Sequence, residues 1–367
     1  MRLFLKRQLW QRVLTMKLTK LLLVAGIIAT SIFTSFVMLL FERSTGIAET
    51  SINQECKSWK TETLQHLSTL ITNTTCSRDY FLLILVSSAP GNFDRRSLIR
   101  QTWGAADSHD QWRTFFLLGQ IRNQKLSDLL ETEAKDYGDI IRGDYYEHYW
   151  NQSFKIEMGF EWAARYCNFS FLLKADDDVY VNTKDLTLLL QNPSTPLKRL
   201  YMGKVQFRPK VRRYGKFNIS KEEYSGSTYP SYCSGAGYVL SNDIVQCLIP
   251  LFDVKKPFRI DDTYVGLVVS KLGISPVHHS RFIFPYDDYD ICYFTPFTLV
   301  QHRVLGQCLL KLYQMHSKEF YSSNLGSFYW HYIASSSSYS QISHNGHLSI
   351  TDHGFPLRAN TRQRRVV

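Results

Sequence analysis

The stretch Phe169–Val181 reads FSFLLKADDDVYV and places three consecutive carboxylates just after an apolar segment. Its first part, Phe169–Leu173, is the short, continuous apolar run that is typical of a buried strand. The acidic triplet Asp176–Asp178 follows the strand almost at once. We therefore expect the triplet at the carboxyl end of a central strand.

Three adjacent carboxylates cannot all be buried without a compensating charge, because an unpaired buried charge is very costly. The triplet must face either water or a cation. Hard divalent ions such as Mg²⁺ and Mn²⁺ prefer oxygen ligands, and Mg²⁺ is usually held by carboxylates together with substrate phosphates. The residues alone leave two interpretations open, a metal bridge to a phosphorylated substrate and an acidic loop at a strand end.

The chain around this strand alternates between predicted strands and helices. Tyr80–Val86, Thr114–Leu118 and Asp139–Tyr145 read as further strands, while Leu126–Tyr137 and Phe154–Cys167 have helical spacing. Strands that alternate with helices, and carboxylates at a strand's carboxyl end, indicate a mainly parallel α/β sheet.

Several blocks of the sequence resemble the inverting β1,3-glycosyltransferases of family 31, which include β1,3-galactosyltransferases and β1,3-N-acetylglucosaminyltransferases. The acidic triplet matches the DxD motif of that family within the setting KADDDVYVN. Four more blocks agree in the same order: Phe81–Pro90 (FLLILVSSAP), Arg95–Gly104 (RRSLIRQTWG), Tyr229–Ser241 (YPSYCSGAGYVLS) and Ile260–Gly266 (IDDTYVG).

The resemblance implies a GT-A type nucleotide-sugar transferase fold, with a UDP-sugar as donor substrate and a glycan of a glycoprotein or glycolipid as acceptor. It implies Mn²⁺ or Mg²⁺ as cofactor. Galactose is the expected sugar, and N-acetylglucosamine is the alternative. A non-catalytic glycan-binding relative and a metal-dependent phosphohydrolase are the competing classes, and the latter does not explain the ordered blocks.

The resemblance implies roles at the metal and donor sites for the residues that match the family motif. Asp178 matches the carboxylate that holds the metal, and Asp176 and Asp177 belong to the donor site. Family members place a metal-binding histidine nine residues after the cysteine of an Ile-Cys pair. Here Gln301 occupies that position and His302 follows it, so His302 is the candidate ligand.

Further donor-site candidates come from the second and fourth blocks. Arg96 and Arg100 are spaced i, i+4 on a predicted helix, where guanidinium groups could bind phosphate, although a solvated helix face explains the spacing as well. Gly235 and Gly237 permit close backbone approach, and the resemblance implies that their block lines the donor sugar pocket.

The family's general base matches Asp262, the second carboxylate of IDDTYVG. Asp261 is then a neighbour that could contact the acceptor or tune the base. An aspartate that caps the following helix is the structural alternative. A single base without a nucleophilic partner implies direct displacement with inversion at the transferred sugar.

The net charge of +11 raises the question of nucleic-acid binding. Nine of these charges lie in the two ends of the chain, in residues 1–20 and from His316 onward. The middle of the chain lacks the excess of basic residues that a nucleic-acid-binding face requires. We therefore expect no nucleic-acid partner.

Residues 21–41 contain no charged residue, and this segment is long enough to cross a bilayer as a helix. Six basic residues precede this segment and predict a cytoplasmic N-terminus, 1–20, with an uncleaved signal anchor. We expect a luminal stem at 42–77, a catalytic domain at 78–315 and a low-complexity tail at 316–367. The expected location is the Golgi membrane as a single-pass type II protein, and a homodimer is left open.

Seven cysteines follow the predicted anchor without a CxxC pair, which favours disulfides over a zinc site. The odd number leaves at least one thiol unpaired, and Cys56 in the stem is the candidate. Sequons for N-glycosylation begin at four asparagines, Asn73, Asn151, Asn168 and Asn218.

Overall fold

The computed structural model describes residues 26, 30, 31, 33–36, 38, 71, 74–106, 111–253, 255–284 and 297–317. The predicted cytoplasmic tail, nearly all of the stem and the C-terminal tail beyond Ser317 lie outside these residues, as do Cys56, Asn73 and most of the segment 21–41.

Within the described part of the chain, no helix combines the length and the apolar character that crossing a membrane requires.

A seven-stranded sheet with the order β3-β2-β1-β4-β7-β6-β8 forms the centre of the described residues. A separate three-stranded sheet has the order β5-β10-β9. The strands are β1 Tyr80–Ser87, β2 Trp112–Gln120, β3 Ile140–Tyr146, β4 Phe169–Asp176, β5 Val179–Val181, β6 Tyr201–Gln206, β7 Tyr232–Ser241, β8 Val277–His278, β9 Phe282–Ile283 and β10 Val300–His302.

The large sheet is mainly parallel, as expected, and one antiparallel strand, β7, makes it mixed. Strands β3, β2, β1 and β4 are mutually parallel. Strand β7 is antiparallel to both β4 and β6, and β8 is parallel to β6. The apolar runs predicted which segments are strands, but strand direction depends on the connections, and the long loop between β6 and β7 reverses the chain.

From residue 71 onward, the described part of the chain contains seven α-helices: α1 Phe93–Gln101, α2 Gln124–Tyr137, α3 Gln152–Tyr166, α4 Thr183–Gln191, α5 Asn242–Leu248, α6 Asp261–Lys271 and α7 Gly306–Ser317. Helix α2 begins after Asn123, whose side chain accepts a hydrogen bond from the backbone N–H of Leu126. It ends at Gly138, which has φ of 61°, the left-handed conformation that glycine adopts without steric cost. The predicted helix at 126–137 is thus confirmed.

Apolar side chains on both faces of the large sheet are buried. Along β1, Leu83 and Leu85 belong to one core cluster, while Leu82, Ile84 and Val86 belong to the other. Successive side chains of a strand point to opposite faces, so a strand covered on both faces needs an uninterrupted apolar run. This explains the continuous run at 80–86 and locates the acidic triplet at the edge where β1 and β4 both end.

At least one disulfide cross-links the described part of the chain. Cys76 and Cys167 form a disulfide that joins the entry of β1 to the end of α3, across 91 residues of sequence. Cys247 and Cys308 each take part in a disulfide as well. Among the described cysteines the free one is Cys233, which is buried in β7. The expected unpaired thiol, Cys56, lies outside the described residues.

Candidate active site

A pocket of ≈ 350 Å³ opens at the carboxyl ends of β1 and β4. Its wall includes the loop 87–89 after β1, the whole acidic triplet 176–178, and Asp261 at the start of α6. Crevices at the carboxyl ends of parallel strands are the usual ligand sites of open α/β sheets. The structure therefore brings the predicted metal and base blocks, about 85 residues apart in sequence, to one cavity.

Asp176, Asp178 and His302 each offer a ligand atom, and these atoms all lie within 4.8 Å of one another. The small sheet produces this arrangement, because β10 pairs antiparallel with β5 and sets His302 opposite Val179. The His302 Nε2 atom lies 3.6 Å from an Asp178 carboxylate oxygen. The two carboxylates suit Mn²⁺ or Mg²⁺, and the imidazole favours the transition ion Mn²⁺ over Mg²⁺.

Asp178 is held as an anion. Partial burial by itself opposes its ionisation, but the interaction with His302, whose Nε2 lies 3.6 Å away, acts against that effect, and the pKa of Asp178 is lowered overall. The charge of Arg95 acts in the same direction. The carboxylate is therefore ready to receive a divalent ion at neutral pH.

Asp177 is in the pocket wall but is largely occupied by protein partners. Its carboxylate accepts hydrogen bonds from the Ser88 hydroxyl at 2.7 Å, the Asn92 amide at 2.8 Å and the Arg95 guanidinium at 2.8 Å. Only 8% of its side chain is exposed. Asp177 thus ties the acidic triplet to the loop after β1 and orients Arg95, rather than offering a free charge to the donor.

Arg96 and Arg100, the predicted donor-binding pair, are not brought to this pocket. Arg96 is fully buried and binds Glu133 at 2.7 Å and the backbone carbonyls of Ala89 and Pro90. Arg100 binds Glu133 at 2.7 Å and Asp139 at 2.8 Å. Burial opposes the ionisation of Glu133, but the two guanidinium groups outweigh it and lower its pKa.

These two arginines therefore join α1 to α2, and their guanidinium groups are committed to carboxylates instead of a phosphate. The pocket cations are Arg95, with 37% of its side chain exposed, and Arg259 from the segment before α6. Arg95 belongs to the block Arg95–Gly104 that the resemblance places near the nucleotide, whereas the sequence did not single out Arg259, because an arginine that meets phosphate looks the same there as one that meets glutamate.

Lys174 is a buried cation at the centre of the acidic cluster, and sequence reasoning did not assign it a role. Its ammonium group donates to Asp176 at 2.6 Å and to the Gly235 carbonyl at 2.5 Å, and lies 3.6 Å from Asp261. Burial alone would lower the pKa of Lys174, but Asp176 and Asp261 raise it overall. Lys174 thereby connects β4, β7 and α6. The signal for such a role in the sequence was a lysine within the apolar run of the predicted strand.

Asp262 lies in the first turn of α6 and accepts two backbone hydrogen bonds. The N–H of Gly235 donates to one carboxylate oxygen at 3.0 Å, and the N–H of Thr263 donates to the other at 2.7 Å. Burial and the neighbouring charge of Asp261 raise the pKa of Asp262 to about 7, against the opposing effect of these hydrogen bonds and Lys174. Asp262 is therefore both fixed in orientation and poised to take a proton near neutral pH.

Gly235 and Gly237 allow close packing behind the pocket. A Cβ atom at Gly235 would lie 3.2 Å from the Cβ of Asp262, and one at Gly237 would lie 2.9 Å from a methyl of Val300. The glycines let β7 approach α6 and β10, which carry Asp262 and His302. Neither glycine borders the pocket, so their contribution there is to position other residues.

An aromatic wall defined by Tyr149, Trp150 and Phe217 closes one side of the pocket. Tyr149 and Trp150 meet edge-to-face with ring centroids 5.0 Å apart. Cations cover the wall, since Lys216 lies 4.1 Å from the Tyr149 ring and Arg259 lies 5.1 Å from the Trp150 ring. The spacing of these residues in the sequence did not reveal that they form one wall.

The described sequons differ in accessibility. Asn168 and Asn218 are exposed, whereas Asn151 is partly buried beside the aromatic wall and its amide donates to the Tyr146 carbonyl. Asn168 and Asn218 are therefore the sequons on which the structure leaves room for a glycan.

Comparison with known sequences identifies the family. The sequence model of the family described as Galactosyltransferase matches residues 94–280, which is more than half of the chain. The chain belongs to the galactosyltransferase family. The matched range contains the acidic triplet, Lys174 and both carboxylates of α6, so most of the site described above lies within it.

The similar curated proteins differ in the sugar that their names state. Beta-1,3-galactosyltransferase 1 of Mus musculus is 35% identical over 207 residues, covering 55% of this chain and 64% of the relative. N-acetyllactosaminide beta-1,3-N-acetylglucosaminyltransferase 4 of Homo sapiens is 33% identical over 251 residues, covering 65% of this chain and 66% of the relative. The chain thus spans just under two thirds of the length of these relatives.

Among solved structures, the galactosyltransferase LgtC in complex with donor and acceptor sugar analogs aligns with a TM-score of 0.38 and 12% identity. The alignment covers 64% of this chain and 96% of LgtC.

Proposed function

We propose that this galactosyltransferase-family protein is a UDP-sugar-dependent inverting β1,3-glycosyltransferase of the GT-A type, which transfers galactose to a glycan acceptor. One observation carries the proposal: Asp176 and Asp178, which cluster with His302, line the same pocket as Asp261, and the next residue, Asp262, has a pKa of about 7. That arrangement supplies a place for a nucleotide diphosphate and a base for a hydroxyl group.

Asp178 and His302, with Asp176, would hold the divalent ion, whose chemistry when bound is to neutralise charge on the departing diphosphate. Arg95 lies in the same wall and is fixed by Asp177, so its guanidinium would meet a phosphate oxygen. The loop 87–89 and Asn92 would face the nucleoside. These residues orient the donor and offset its negative charge.

Asp262 would accept the proton of the acceptor hydroxyl. The Gly235 and Thr263 N–H groups each occupy one lone pair of its two oxygens, so a further lone pair remains for the incoming proton. A base near pKa 7 is well matched to neutral pH. Because no second carboxylate is needed as a nucleophile, the hydroxyl attacks directly and the configuration of the sugar inverts.

Transfer of N-acetylglucosamine is the second candidate, favoured by the relatives that carry this activity in their names. A donor panel decides between the two. The purified protein is incubated with Mn²⁺, a set of β-galactoside and N-acetylglucosaminide acceptors, and either UDP-galactose or UDP-N-acetylglucosamine, and the product linkage is determined. We expect β1,3-linked galactose. Absence of transfer from every UDP-sugar would leave the non-catalytic glycan-binding alternative.

We further propose a Golgi membrane location, with the catalytic domain luminal and residues 21–41 as the anchor. The support is the uncharged segment behind six basic residues, together with the disulfides and exposed sequons of the described part. The proposal involves no nucleic-acid partner, and a homodimer is compatible with it.

A further inference from the structure

A cluster of cations lies on the loop between β6 and β7. Residues 208–216 read RPKVRRYGK, with five basic residues and no acidic one. Four of these are exposed, and we name them the basic strip: Arg208, Lys210, Arg212 and Lys216. Among residues that the structure describes, none of the four pairs with a carboxylate.

The loop that carries the basic strip has a defined structure of its own. Val211, Ile219 and Tyr229 form a small buried core beneath it. Arg213, the fifth cation, turns inward and donates to four backbone carbonyls, those of Ile219, Ser220, Tyr224 and Gly226. The small core and the hydrogen bonds of Arg213 therefore stabilise the loop, and the four cations of the basic strip are exposed on it.

The basic strip leads to the pocket. Lys216 lies 4.1 Å from the ring of Tyr149 and 5.2 Å from that of Phe217, both of which are in the aromatic wall. Tyr214, between Lys216 and the rest of the strip, is 90% exposed. Aromatic faces beside cations are suited to a sugar that carries a negative charge, since the ring packs on the sugar and the cation binds the acid.

We propose that the basic strip is a subsite for an acidic acceptor glycan, one that bears a carboxylate or a sulfate some residues away from the hydroxyl that receives the new sugar. This rests on the proposed transferase function. In the proposed function, Arg95 and the metal ion bind the donor phosphates. The basic strip would therefore contact the acceptor and not the donor. Guanidinium and ammonium groups bind carboxylate and sulfate oxygens by charge-assisted hydrogen bonds.

The test uses a strip variant, Arg208→Gln/Lys210→Gln/Arg212→Gln, in the full chain. A matched control, Lys125→Gln/Lys135→Gln/Lys271→Gln, removes the same charge from exposed positions on α2 and α6. Transfer is measured with three acceptors that share one terminal sugar and are neutral, uronic-acid-bearing or sulfated. The two acidic acceptors distinguish the source of the negative charge.

We expect the strip variant to raise the KM for at least one acidic acceptor ~10-fold while the KM for the neutral acceptor and the KM for UDP-sugar stay within ~2-fold. The control should leave all three unchanged. Higher salt should reduce the parent's preference for the acidic acceptor, because exposed charge pairs are screened. Equal effects on neutral and acidic acceptors, or weaker UDP-sugar binding, would overturn the proposal.

A binding experiment separates this proposal from the transferase function. Acidic and neutral oligosaccharides are titrated into the parent, strip and control proteins without donor. Selective binding of the acidic oligosaccharide by parent and control, but not by the strip variant, would support the subsite even if no transfer were found. Loss of anionic-vesicle binding in the strip variant, with no change in oligosaccharide selectivity, would instead assign the strip to a lipid surface and overturn the proposal.

Discussion

Four aspartates line one pocket, Asp262 follows the last of them in sequence, and the individual environments of the five distinguish their roles. The carboxylate of Asp177 accepts hydrogen bonds from Ser88, Asn92 and Arg95. Asp178 is kept ionised beside His302. Asp262, whose pKa is raised to about 7, is a group that can exchange a proton near neutral pH. Neighbouring carboxylates with divergent pKa values are a common mark of divided acid–base roles.

Asp262→Asn should separate base catalysis from donor binding. Asparagine keeps the size of the side chain and a carbonyl oxygen for one backbone N–H, but it cannot take a proton at neutral pH. We expect transfer to fall by ~10²–10⁴-fold, while Mn²⁺ and UDP binding and thermal stability stay near those of the parent. Initial transfer rates and calorimetric UDP affinity are measured together, with Asp261→Asn as the companion variant.

The pH profile of the parent provides a second check on the base. Since Asp262 must be ionised to act, kcat/KM should rise with pH and level off above about 7. Near-normal transfer by Asp262→Asn would remove it as the base. Loss of UDP binding together with activity would place it in the donor site, and Asp261 would become the next carboxylate to test.

Lys174→Met should move that pH profile. Lys174 opposes the rise in the pKa of Asp262, so its removal should shift the acid limb to higher pH and reduce the rate at pH 7. Lys155→Met is the control, because Lys155 is another buried lysine but pairs with Glu147 and the Ser88 carbonyl, whereas the charges that shift the pKa of Asp262 are those of Asp261 and Lys174. An unshifted limb in a folded Lys174→Met protein would show that Lys174 is only structural.

Glu157 offers a test of stability against pH. It is 3% exposed on α3, and neither carboxylate oxygen has a hydrogen-bond partner among the described residues. Burial and the charges of Glu161 and Asp253 raise its pKa from 4.5 to about 8. The folded protein therefore keeps a proton that the unfolded chain releases, and the free energy of unfolding should fall as pH rises from about 4.5 to about 8.

Glu157→Gln should remove this contribution and make the protein more stable than the parent at pH 8. Melting temperatures at pH 5.5 and pH 8 test it, with the exposed Glu131→Gln as control. Equal pH dependence of parent and Glu157→Gln would mean that Glu157 is ionised in the folded protein.

The candidate metal cluster of Asp176, Asp178 and His302 depends on β10 as much as on the acidic triplet. Asp178→Asn removes one ligand charge from the cluster, and we expect it to abolish Mn²⁺-dependent UDP binding while the domain stays folded. His302→Ala should weaken Mn²⁺ binding with less effect on UDP alone. Titration of each variant with Mn²⁺ measures this, and normal metal-dependent turnover by Asp178→Asn would contradict the assigned role.

Local patterns in the sequence predicted the strands and helices around the site. The apolar run of β1 and the acidic triplet after β4 both follow from burial and charge, which are local properties. The antiparallel direction of β7 does not, since it depends on how a long loop returns the chain. Strand pairing also explains His302, because the register of β10 against β5 brings it to Asp178 although it stands one residue beyond the expected position.

Partners distant in sequence account for the remaining differences. Arg96 was expected at the nucleotide, but Glu133, 37 residues away, receives its guanidinium. Arg95, the adjacent residue, turns to the pocket instead. Lys174 and the aromatic wall were missed for the same reason, since each acquires its role only when segments from separate strands and loops meet.

At the scale of the whole molecule, the described domain has covalent support that suits an oxidising compartment. The Cys76–Cys167 disulfide closes a loop with a sequence separation of 91. Cross-links of this length typically contribute about 2–5 kcal/mol to the free energy of unfolding. Cys76 also lies just before β1, so the proposed catalytic domain begins near this cysteine.

A membrane anchor at residues 21–41 would decide where the domain works. Residues 21–41 carry no charge and come after six basic residues, a pattern that predicts a cytoplasmic N-terminus and a luminal catalytic domain. The full chain should therefore stay with membranes after alkaline extraction, whereas a secreted chain that begins near Cys76 should be soluble and keep UDP binding. Both are measured on the same expressed material by sedimentation and immunoblotting. Release of the full chain at alkaline pH would show that the segment is cleaved or peripheral, and would leave the site chemistry unchanged while removing the Golgi-membrane proposal.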